Sequence, residues 1–229
     1  MMSALWVSKT GLAAQDTSLR TISNNLANVS TVGYKRERAV FRDLLYQIQE
    51  QPGGLSSQDT TLPSGLQLGT GVEIGATQKV FTKGDLQATD QPLDLAINGR
   101  GFFQIAMPDG SLTYTRDGQF QLSEDGDMVT AEGYRLEPAV NIPQDAQSVT
   151  IAADGTVSAM LVGLPVSGAP LTGNPNSNGL GGLLQGNLEN SNVNVVEEMV
   201  NMVSTQRAYE MNSRVVSTAD QMLQFVTQN

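Results

Sequence analysis

The side chains that could perform catalysis in this chain are its carboxylates, because the sequence contains no histidine and no cysteine. That composition excludes thiolate nucleophiles, disulfides, thiolate or imidazole metal sites and any Ser-His-Asp triad. Two carboxylates can still act as acid and base, as they do in glycosidases. The best candidates, Glu124, Asp125 and Asp127, crowd together at a predicted turn, where a surface role is favoured. We therefore predict no catalytic residue, no enzymatic activity and no cofactor.

Four Asp-Gly dipeptides raise the separate question of calcium binding. They lie at Asp109-Gly110, Asp117-Gly118, Asp125-Gly126 and Asp154-Gly155. None has the alternating oxygen ligands and the distant glutamate of an EF-hand loop. Asp-Gly is frequent in tight turns between strands, so we predict four hairpin turns and no metal site.

Three glycine clusters could in principle cradle a phosphate group. They lie at residues 69–71, 99–101 and 179–182. Each lacks the rest of a dinucleotide fingerprint and the Gly-Lys-Ser/Thr end of a phosphate-binding loop. We predict no nucleotide site.

An acidic composition limits the partners of the chain. Its 229 residues hold 13 Lys and Arg against 23 Asp and Glu, which gives a formal net charge of -10. Such a surface repels phosphate and anionic lipid, and no stretch is long and apolar enough to span a bilayer. The first residues also lack the basic leader and the unbroken apolar region of a secretory signal. We predict no nucleic-acid partner, no direct membrane insertion and no cleaved signal peptide.

The first stretch of the chain has the spacing of a coiled-coil seam. The two core positions of its heptads hold Leu5, Ser8, Leu12, Gln15, Leu19, Ile22, Leu26 and Val29. A helix of this kind cannot bury its apolar strip alone, so it needs a second helix in the same chain or in another copy.

A second amphipathic stretch lies near the other end of the sequence. Asn194, with Glu197 three residues later, predicts a capped helix that begins at Val195. Apolar residues then recur at steps of three and four. The members of this strip that we expect in a helix interface are Val200, Val203, Met211, Val215 and Met222.

The residues between the two helices have the pattern of short strands. Apolar runs at 94–97, 102–107, 112–115 and 149–152 alternate with the Asp-Gly turns. We predict an α+β fold in which long terminal helices pack as an antiparallel coiled coil, with a mostly antiparallel β domain between them. The predicted boundaries are an N-terminal helical region at residues 1–35, an extended connecting segment at 36–75, a β domain with a flexible end at 76–184, and a C-terminal helical region at 185–229.

Four motifs resemble those of the bacterial flagellar rod and hook family. They occur in the family order and cover most of the chain. The matching residues of the first motif are Asn24, Asn25, Leu26, Asn28, Gly33 and Lys35. The two motifs of the β region contribute Gly99, Gly101, Phe102, Phe103, Arg116, Asp117 and Gly118. The motif of the C-terminal helix contributes Gln206, Arg207 and Tyr209.

The segment 46–71 resembles the insertion that distinguishes distal-rod subunits from hook and proximal-rod subunits. Its matching residues are Pro52, Gly53, Leu62, Pro63 and Gly65. We expect its leucines to order this segment against a neighbouring molecule.

The resemblance implies a structural subunit of the flagellar distal rod, exported by the type III apparatus and polymerised into a straight tube that spans the periplasm and transmits torque from motor to hook. The apolar strips of the two helices would form the assembly interface of the inner layer. The implied partners are other copies, proximal-rod and hook subunits, and the ring proteins of the basal body.

Two alternatives stay open at the level of the sequence. The chain could be another axial subunit of the same family, from the proximal rod or the hook, or a secreted, self-standing binding module. One departure from the family lies at residues 154–173, where further strands are missing. We expect either a shortened sequence near residues 160–164 or a smaller β domain.

Overall fold

The computed structural model describes residues 2–50, 55–57, 60–61, 65–161, 164–167 and 181–227. They belong to two compact units. The helical unit comprises Met1–Ala27, Glu37–Val80 and Asn194–Asn229, and the strand-rich unit comprises Asn28–Arg36 and Phe81–Val193. Two helices thus flank a mostly antiparallel β region, which confirms this level of the predicted fold. None of the helices described is long and apolar enough to cross a membrane.

The helical unit is built on two long helices that contact each other, α1 (Met2–Ala27) and α2 (Val195–Thr227). The second helix begins at the predicted residue. The side-chain Oδ1 of Asn194 accepts hydrogen bonds from the backbone N–H of Val196 at 3.0 Å and of Glu197 at 3.2 Å. This satisfies two donors that the first turn of a helix leaves unpaired. Antiparallel coiled-coil packing of the two helices stays a prediction.

Six strands complete the helical unit: β1 (Glu37–Asp43), β2 (Tyr46–Glu50), β3 (Leu55–Ser57), β4 (Thr60–Thr61), β5 (Leu66–Gly69) and β6 (Val72–Lys79). They form three antiparallel pairs, β1 with β6, β2 with β5 and β3 with β4. The helix α1 contacts β1 and β6.

The pairing of β2 with β5 differs from the expectation that this segment is ordered only by a neighbouring molecule. Its backbone groups find partners in the same chain, and an extended backbone needs such partners wherever water does not supply them. Leu66 and Leu68 nevertheless expose 45% and 43% of their surface, so their side chains stay available.

The other twelve strands of the described residues lie in the strand-rich unit. They are β7 (Leu86–Ala88), β8 (Leu95–Asn98), β9 (Phe103–Ala106), β10 (Leu112–Thr115), β11 (Phe120–Leu122), β12 (Met128–Thr130), β13 (Arg135–Glu137), β14 (Ser148–Ile151), β15 (Val157–Leu161), β16 (Leu164–Ser167), β17 (Gly182–Gln185) and β18 (Asn187–Glu189). The largest sheet has the order β10-β9-β13-β12-β11, and a second has the order β14-β15-β16. Two antiparallel pairs, β17 with β8 and β18 with β7, complete the unit.

One apolar core holds the strand-rich unit together. Alternate residues of β9 point into it, so Phe103 and Ile105 are buried while their neighbours are partly exposed. The ring of Phe103 meets the ring of Phe120 edge to face, with 5.1 Å between their centroids. The core continues through Leu95, Met128, Leu136, Ile142, Ile151, Val157 and Leu183.

Three of the four predicted Asp-Gly hairpin turns are confirmed, and the one at Asp117-Gly118 is wrong. The strands on either side of it, β10 and β11, lie at opposite edges of the same sheet. Gly118 instead accepts a hydrogen bond from the backbone N–H of Leu95 at 3.0 Å. A Cβ at Gly118 would lie 1.7 Å from the carbonyl oxygen of Leu95. Gly118 therefore allows the backbone to approach β8 closely, and it does not form a hairpin turn.

Truncation of Leu136 tests the core. Leu136→Ala removes a side chain that is 1% exposed and should lower the free energy of unfolding by about 2–5 kcal/mol. The matched control, Leu122→Ala in the same sheet, removes a side chain that is 42% exposed and should cost less than about 1 kcal/mol. Urea denaturation measures both. Equal losses would contradict this placement of the core.

Candidate functional site

The centre of the strand-rich unit is a buried carboxylate, that of Glu189 at the end of β18, which is 1% exposed. Its Oε1 accepts hydrogen bonds from Lys35 Nζ at 2.7 Å and from the backbone N–H of Gly84 at 2.9 Å. Its Oε2 accepts one from Arg116 Nε at 2.5 Å. The carboxylate is therefore both paired and hydrogen-bonded, as a buried charge must be.

The guanidinium of Arg116 connects this carboxylate to the glycine-rich motif that follows β8. Its remaining nitrogens donate to the backbone carbonyls of Ile97 at 2.7 Å, of Gly99 at 2.6 Å and of Gly101. Gly99 and Gly101 adopt φ values of 138° and 144°, in the region that favours glycine. Their backbone conformation turns these carbonyls towards the arginine. Arg116 thus makes four hydrogen bonds with its planar set of donors.

Gly33 brings the first family motif to the same place. Its backbone N–H donates to the carbonyl of Glu189 at 2.7 Å, and its φ is 69°. A Cβ at this position would lie 2.5 Å from the backbone of Arg116 and of Asp117. Any larger residue would therefore clash with the backbone that carries the arginine.

Asn192 fixes the segment before β1 that carries Lys35. Its Oδ1 accepts a hydrogen bond from the backbone N–H of Arg36 at 2.7 Å, and its Nδ2 donates to the Thr82 carbonyl at 3.1 Å. Lys35 Nζ donates to that same carbonyl at 2.9 Å. Residues 33–36, 82–84, 97–101, 116 and 189–192 thus form one polar cluster, which we call the Glu189 cluster.

Asn25 performs a similar task within the helical unit. Its side chain is 1% exposed and pairs with both backbone groups of Glu37. The Nδ2 donates to the Glu37 carbonyl, and the Oδ1 accepts from the Glu37 N–H, each at 2.8 Å. This double hydrogen bond fixes the start of β1 against the last turn of α1.

The other motif residues do not share one site. Phe103 lies in the core, and Phe102 is 46% exposed. Asn24 is exposed, and Leu26 and Asn28 are partly covered. Gln206, Arg207 and Tyr209 lie on the exposed surface of α2, within the other unit. The motif of the C-terminal helix therefore takes no part in the Glu189 cluster.

The burial of charge perturbs two carboxylates in the strand-rich unit. Burial alone would raise the pKa of Glu189, but the hydrogen bonds from Lys35, Arg116 and the Gly84 N–H outweigh it, so the pKa lies below the ordinary value of 4.5. Burial raises the pKa of Asp117 and exceeds the opposing effect of the Gln119 N–H. The lowered pKa of Glu189 means that this buried carboxylate is ionised at neutral pH.

The predicted interface residues of the two helices differ in exposure. Leu5, Leu12, Leu19 and Leu26 of α1 are partly covered and Ile22 is buried. The five predicted residues of α2 are exposed, with fractions of 63% for Val200, 47% for Val203, 63% for Met211, 50% for Val215 and 56% for Met222. The strip on α2 is therefore available to other molecules.

A different face of α2 is covered. Its partly or fully covered residues recur at steps of three and four and are Val195, Glu198, Met202, Thr205, Ala208, Asn212, Val216 and Ala219. Small and polar side chains predominate in this set. A Cβ at Gly11 of α1 would lie 3.0 Å from the Nδ2 of Asn212, so the two helices approach closely at this point.

The insertion-like segment is described only in part. Gly65 is partly covered and precedes β5. Pro52, Gly53, Leu62 and Pro63 lie outside the described residues.

Glu189, Thr82 and Asn192 were not among the residues predicted from the sequence. One signal was present for the first of them, because Glu189 is the sole acidic residue between Asp154 and Glu197 in the sequence. An isolated acidic residue of this kind is a candidate partner for the two motif cations, Lys35 and Arg116. Thr82 acts through its own backbone carbonyl, and the Asn192 side chain acts on backbone groups of distant residues, so neither leaves such a pattern.

Two of the three carboxylates considered for catalysis form ion pairs with Arg135. Asp125 and Asp127 lie 3.9 Å and 3.4 Å from the guanidinium nitrogens of Arg135. In the described part of the chain, no group of three acidic side chains is arranged to hold a metal ion. The Glu189 carboxylate is buried and accepts hydrogen bonds from three different segments, so it is suited to holding these segments together.

Removal of the central charge should destabilise the strand-rich unit strongly. Glu189→Gln leaves Lys35 and Arg116 buried without their counter-charge, which should lower the free energy of unfolding by about 3–5 kcal/mol at neutral pH. The matched control is Glu73→Gln, which breaks the exposed pair with Arg42 at 3.0 Å and should change stability far less. Chemical denaturation compares the two, and similar effects would refute the central role of Glu189.

The lowered pKa of Glu189 also predicts a dependence on pH. The unfolded carboxylate binds its proton at the higher, ordinary pKa of 4.5, so stability from this group is complete above that value. It is lost as the pH falls through the lower pKa of the folded state. The stability difference between the natural chain and Glu189→Gln should therefore be constant near neutral pH and shrink below 4.5. A difference that grows on acidification would contradict this assignment.

Family models match three regions of the chain. Residues 5–35 match the flagella basal body rod protein family, residues 96–159 match the flagellar hook protein FlgE/F/G D1 domain, and residues 184–229 match the flagellar basal body rod FlgEFG protein C-terminal family. These matches contain all four motifs, and the Glu189 cluster takes residues from each of the three.

Curated relatives match over the full length. The flagellar basal-body rod protein FlgG of Buchnera aphidicola subsp. Acyrthosiphon pisum (strain APS) is 49% identical, with 100% of both chains aligned. The protein of the same name from Caulobacter vibrioides is 41% identical, with 99% of each chain aligned. The flagellar hook protein FlgE of Helicobacter mustelae is 42% identical over 60% of this chain and 30% of its own.

The alignment with the Buchnera protein also shows that the present chain is shorter. It extends over 259 positions, whereas the chain has 229 residues, so about 30 residues of that relative have no counterpart here. The place of the shortening near residues 160–164 stays a prediction. The expectation that strands are missing at residues 154–173 is wrong, because β15 and β16 lie in this range and pair with each other. The matched family models and the full-length relatives are all those of flagellar rod and hook proteins. The chain therefore belongs to the flagellar rod and hook family.

Proposed function

We propose that this chain, a structural subunit of the flagellar distal rod, polymerises into a straight helical tube that transmits torque from motor to hook. The observation that carries the proposal is the exposed apolar strip of α2. Large apolar side chains that stand together on a surface mark an interaction site. The full-length likeness to basal-body rod proteins supports the rod over the hook, because the hook relative aligns with 60% of the chain.

The exposed strip is longer than its predicted core. Val196, Met199 and Phe225 extend it, with exposed fractions of 70%, 52% and 70%. Full burial of one such side chain contributes about 1.5–3 kcal/mol. Contacts of this kind along the helix favour the polymer, whereas the described part of the separate subunit leaves these side chains exposed.

The covered face of α2 explains why the strip stays free. Small residues such as Ala208 and Ala219 lie on the covered face, and large apolar residues lie on the opposite one. Contacts within one chain thus cover one side of α2 and leave the other side free for neighbouring copies. Repetition of a contact that does not close on itself generates a helical polymer.

In this arrangement, residues 1–35 and 185–229 supply the inner coiled-coil layer, and residues 76–184 supply the outer layer. Leu5, Leu12, Leu19, Ile22 and Leu26 join the α2 strip in the assembly interface. Residues 36–75, with the rod-specific segment, connect the layers. The Glu189 cluster makes the strand-rich unit stiff, because buried polar networks whose groups are all paired hold one arrangement.

The partners in this proposal are other copies of the chain, proximal-rod and hook subunits, and the surrounding ring proteins. The rod spans the periplasm, and its subunits are exported without a cleaved signal peptide. A subunit that acts only by contact and torque has no need of catalytic groups. A self-standing binding module would bury its apolar helix face within the monomer, and the exposed strip of α2 argues against it.

Electron microscopy of concentrated protein tests the proposal. The natural chain should form straight tubes. Val200→Asp/Val215→Asp should raise the concentration needed for tubes about 100-fold, because charges replace two valines that polymerisation would bury. The control Ser213→Asp/Ser217→Asp adds the same charges at exposed positions beside the strip and should assemble normally. Circular dichroism should show equal helix content in all three. Absence of tubes from the natural chain under every condition would overturn the proposal.

A further inference from the structure

An open pocket in the strand-rich unit has a lining unlike the rest of this acidic chain. It has a volume of about 360 Å³ and lies against the Glu189 cluster. Its lining includes the rings of Phe81 and Phe102 and four cations, Lys35, Lys83, Arg100 and Arg116. Among the described residues, no carboxylate contributes to the lining.

The two aromatic rings form an exposed apolar platform. They meet edge to face, with 5.5 Å between the centroids and 87° between the planes. Phe81 exposes 64% and Phe102 exposes 46% of its surface. Rings of this size are normally buried, so a partner that covers them would gain apolar contact.

Two of the four cations are available to a partner. Lys35 and Arg116 are held by Glu189. Lys83 and Arg100 are exposed, and neither has a carboxylate partner within the described part of the chain. Lys83 Nζ donates to Asn98 Oδ1 at 2.7 Å, which holds it beside the pocket. The pocket thus fits a large apolar side chain with a carboxylate close to it.

We propose that the occupant is the corner at residues 43–45 of a second copy of this chain. Leu45 would rest on the rings of Phe81 and Phe102, and the Asp43 carboxylate would meet Lys83 and Arg100. This inference rests on the proposed function, because it specifies one of the contacts between rod subunits.

The corner has the required chemistry. Leu45 is 88% exposed, the highest fraction among the large hydrophobic side chains described. Asp43 is exposed and forms no ion pair among the described residues. The backbone is already fixed, because Leu44 N–H donates to the Gly71 carbonyl at 3.0 Å and Thr70 Oγ1 donates to the Leu45 carbonyl at 2.6 Å. Little freedom is lost on binding such a segment.

Other pairs of a carboxylate and an exposed apolar residue fit less well. Glu73, beside Ile74, is engaged by Arg42. Glu210 and Asp220 lie on α2 near Met211 and Met222. In the proposed rod, that strip of α2 makes contacts between helices. Glu124 lies near Leu122, which is only 42% exposed.

Charge complementarity also favours a second copy. Copies with a net charge of -10 repel each other, so a cationic pocket is a place where an approaching copy meets attraction. Each copy carries one pocket and one corner, and the two surfaces differ. Such a head-to-tail contact can repeat along a polymer.

Charge reversal and charge exchange test the contact in tube assembly. Lys83→Glu/Arg100→Glu should raise the concentration needed for tubes at least about tenfold, because like charges then face each other. Addition of Asp43→Lys to the same chain should restore assembly. Lys79→Glu/Arg135→Glu, which changes the net charge equally at exposed positions outside the pocket, is the control. The inference is overturned if the pocket variant assembles like the control.

A photo-cross-linker identifies the occupant directly. With p-benzoylphenylalanine in place of Phe102, tubes assembled from mixed light and heavy isotope-labelled chains should give cross-links between copies at residues 43–46. Cross-links confined to one copy, or to other regions of the neighbour, would overturn the proposal.

A measurement on the free chain separates failure of this inference from failure of the proposed function. A peptide of residues 43–47 with blocked ends should shift the ring signals of Phe81 and Phe102 in the full chain, and its Asp43→Lys form should not. Tubes without these shifts would overturn the pocket contact alone, and shifts without tubes would overturn the rod function alone. Shifts produced by phosphatidylglycerol vesicles and not by the peptide would assign the pocket to anionic lipid and overturn this proposal.

Discussion

The buried pairing of Glu189 with Lys35 and Arg116 is the interaction on which the strand-rich unit depends. Its distances of 2.7 Å and 2.5 Å join residues that lie 154 and 73 positions apart in the sequence. A buried ion pair gains little over a well-packed apolar substitute, but the loss of one partner is costly. The arrangement therefore specifies which segments meet more than it adds to stability. A subunit under torque needs that property, because alternative packings would bend it.

The helical unit follows a different rule. Within the chain, the covered face of α2 consists mainly of small and polar residues, and the large apolar residues of α2 point outwards. A sequence selected for a stable monomer would have the reverse distribution. Exposure of Val200, Met211 and Met222 makes sense if burial is completed by other copies. The negative net charge then keeps separate copies soluble until contacts of defined geometry overcome their repulsion.

Local rules explain how much of the fold was predictable. The cap at Asn194 fixed the start of α2 because a side-chain acceptor three residues from its donor is a local feature. Short strands and three of the hairpin turns followed from alternation and from Asp-Gly. The turn at Asp117-Gly118 failed the same rule, because the residue that decides its role, Leu95, lies more than twenty positions earlier in the chain.

The sequence by itself determined the element types, the absence of histidine and cysteine chemistry, and the family motifs that include Gly33, Arg116 and Lys35. It also showed that each terminal helix has an apolar strip. Only the tertiary structure decided which residue unites the motifs, because Glu189 acts through space on Lys35 and Arg116, which lie 154 and 73 positions away in the sequence. Only the tertiary structure decided which face of α2 is covered, since two faces of one helix share a period and differ only in what lies against them.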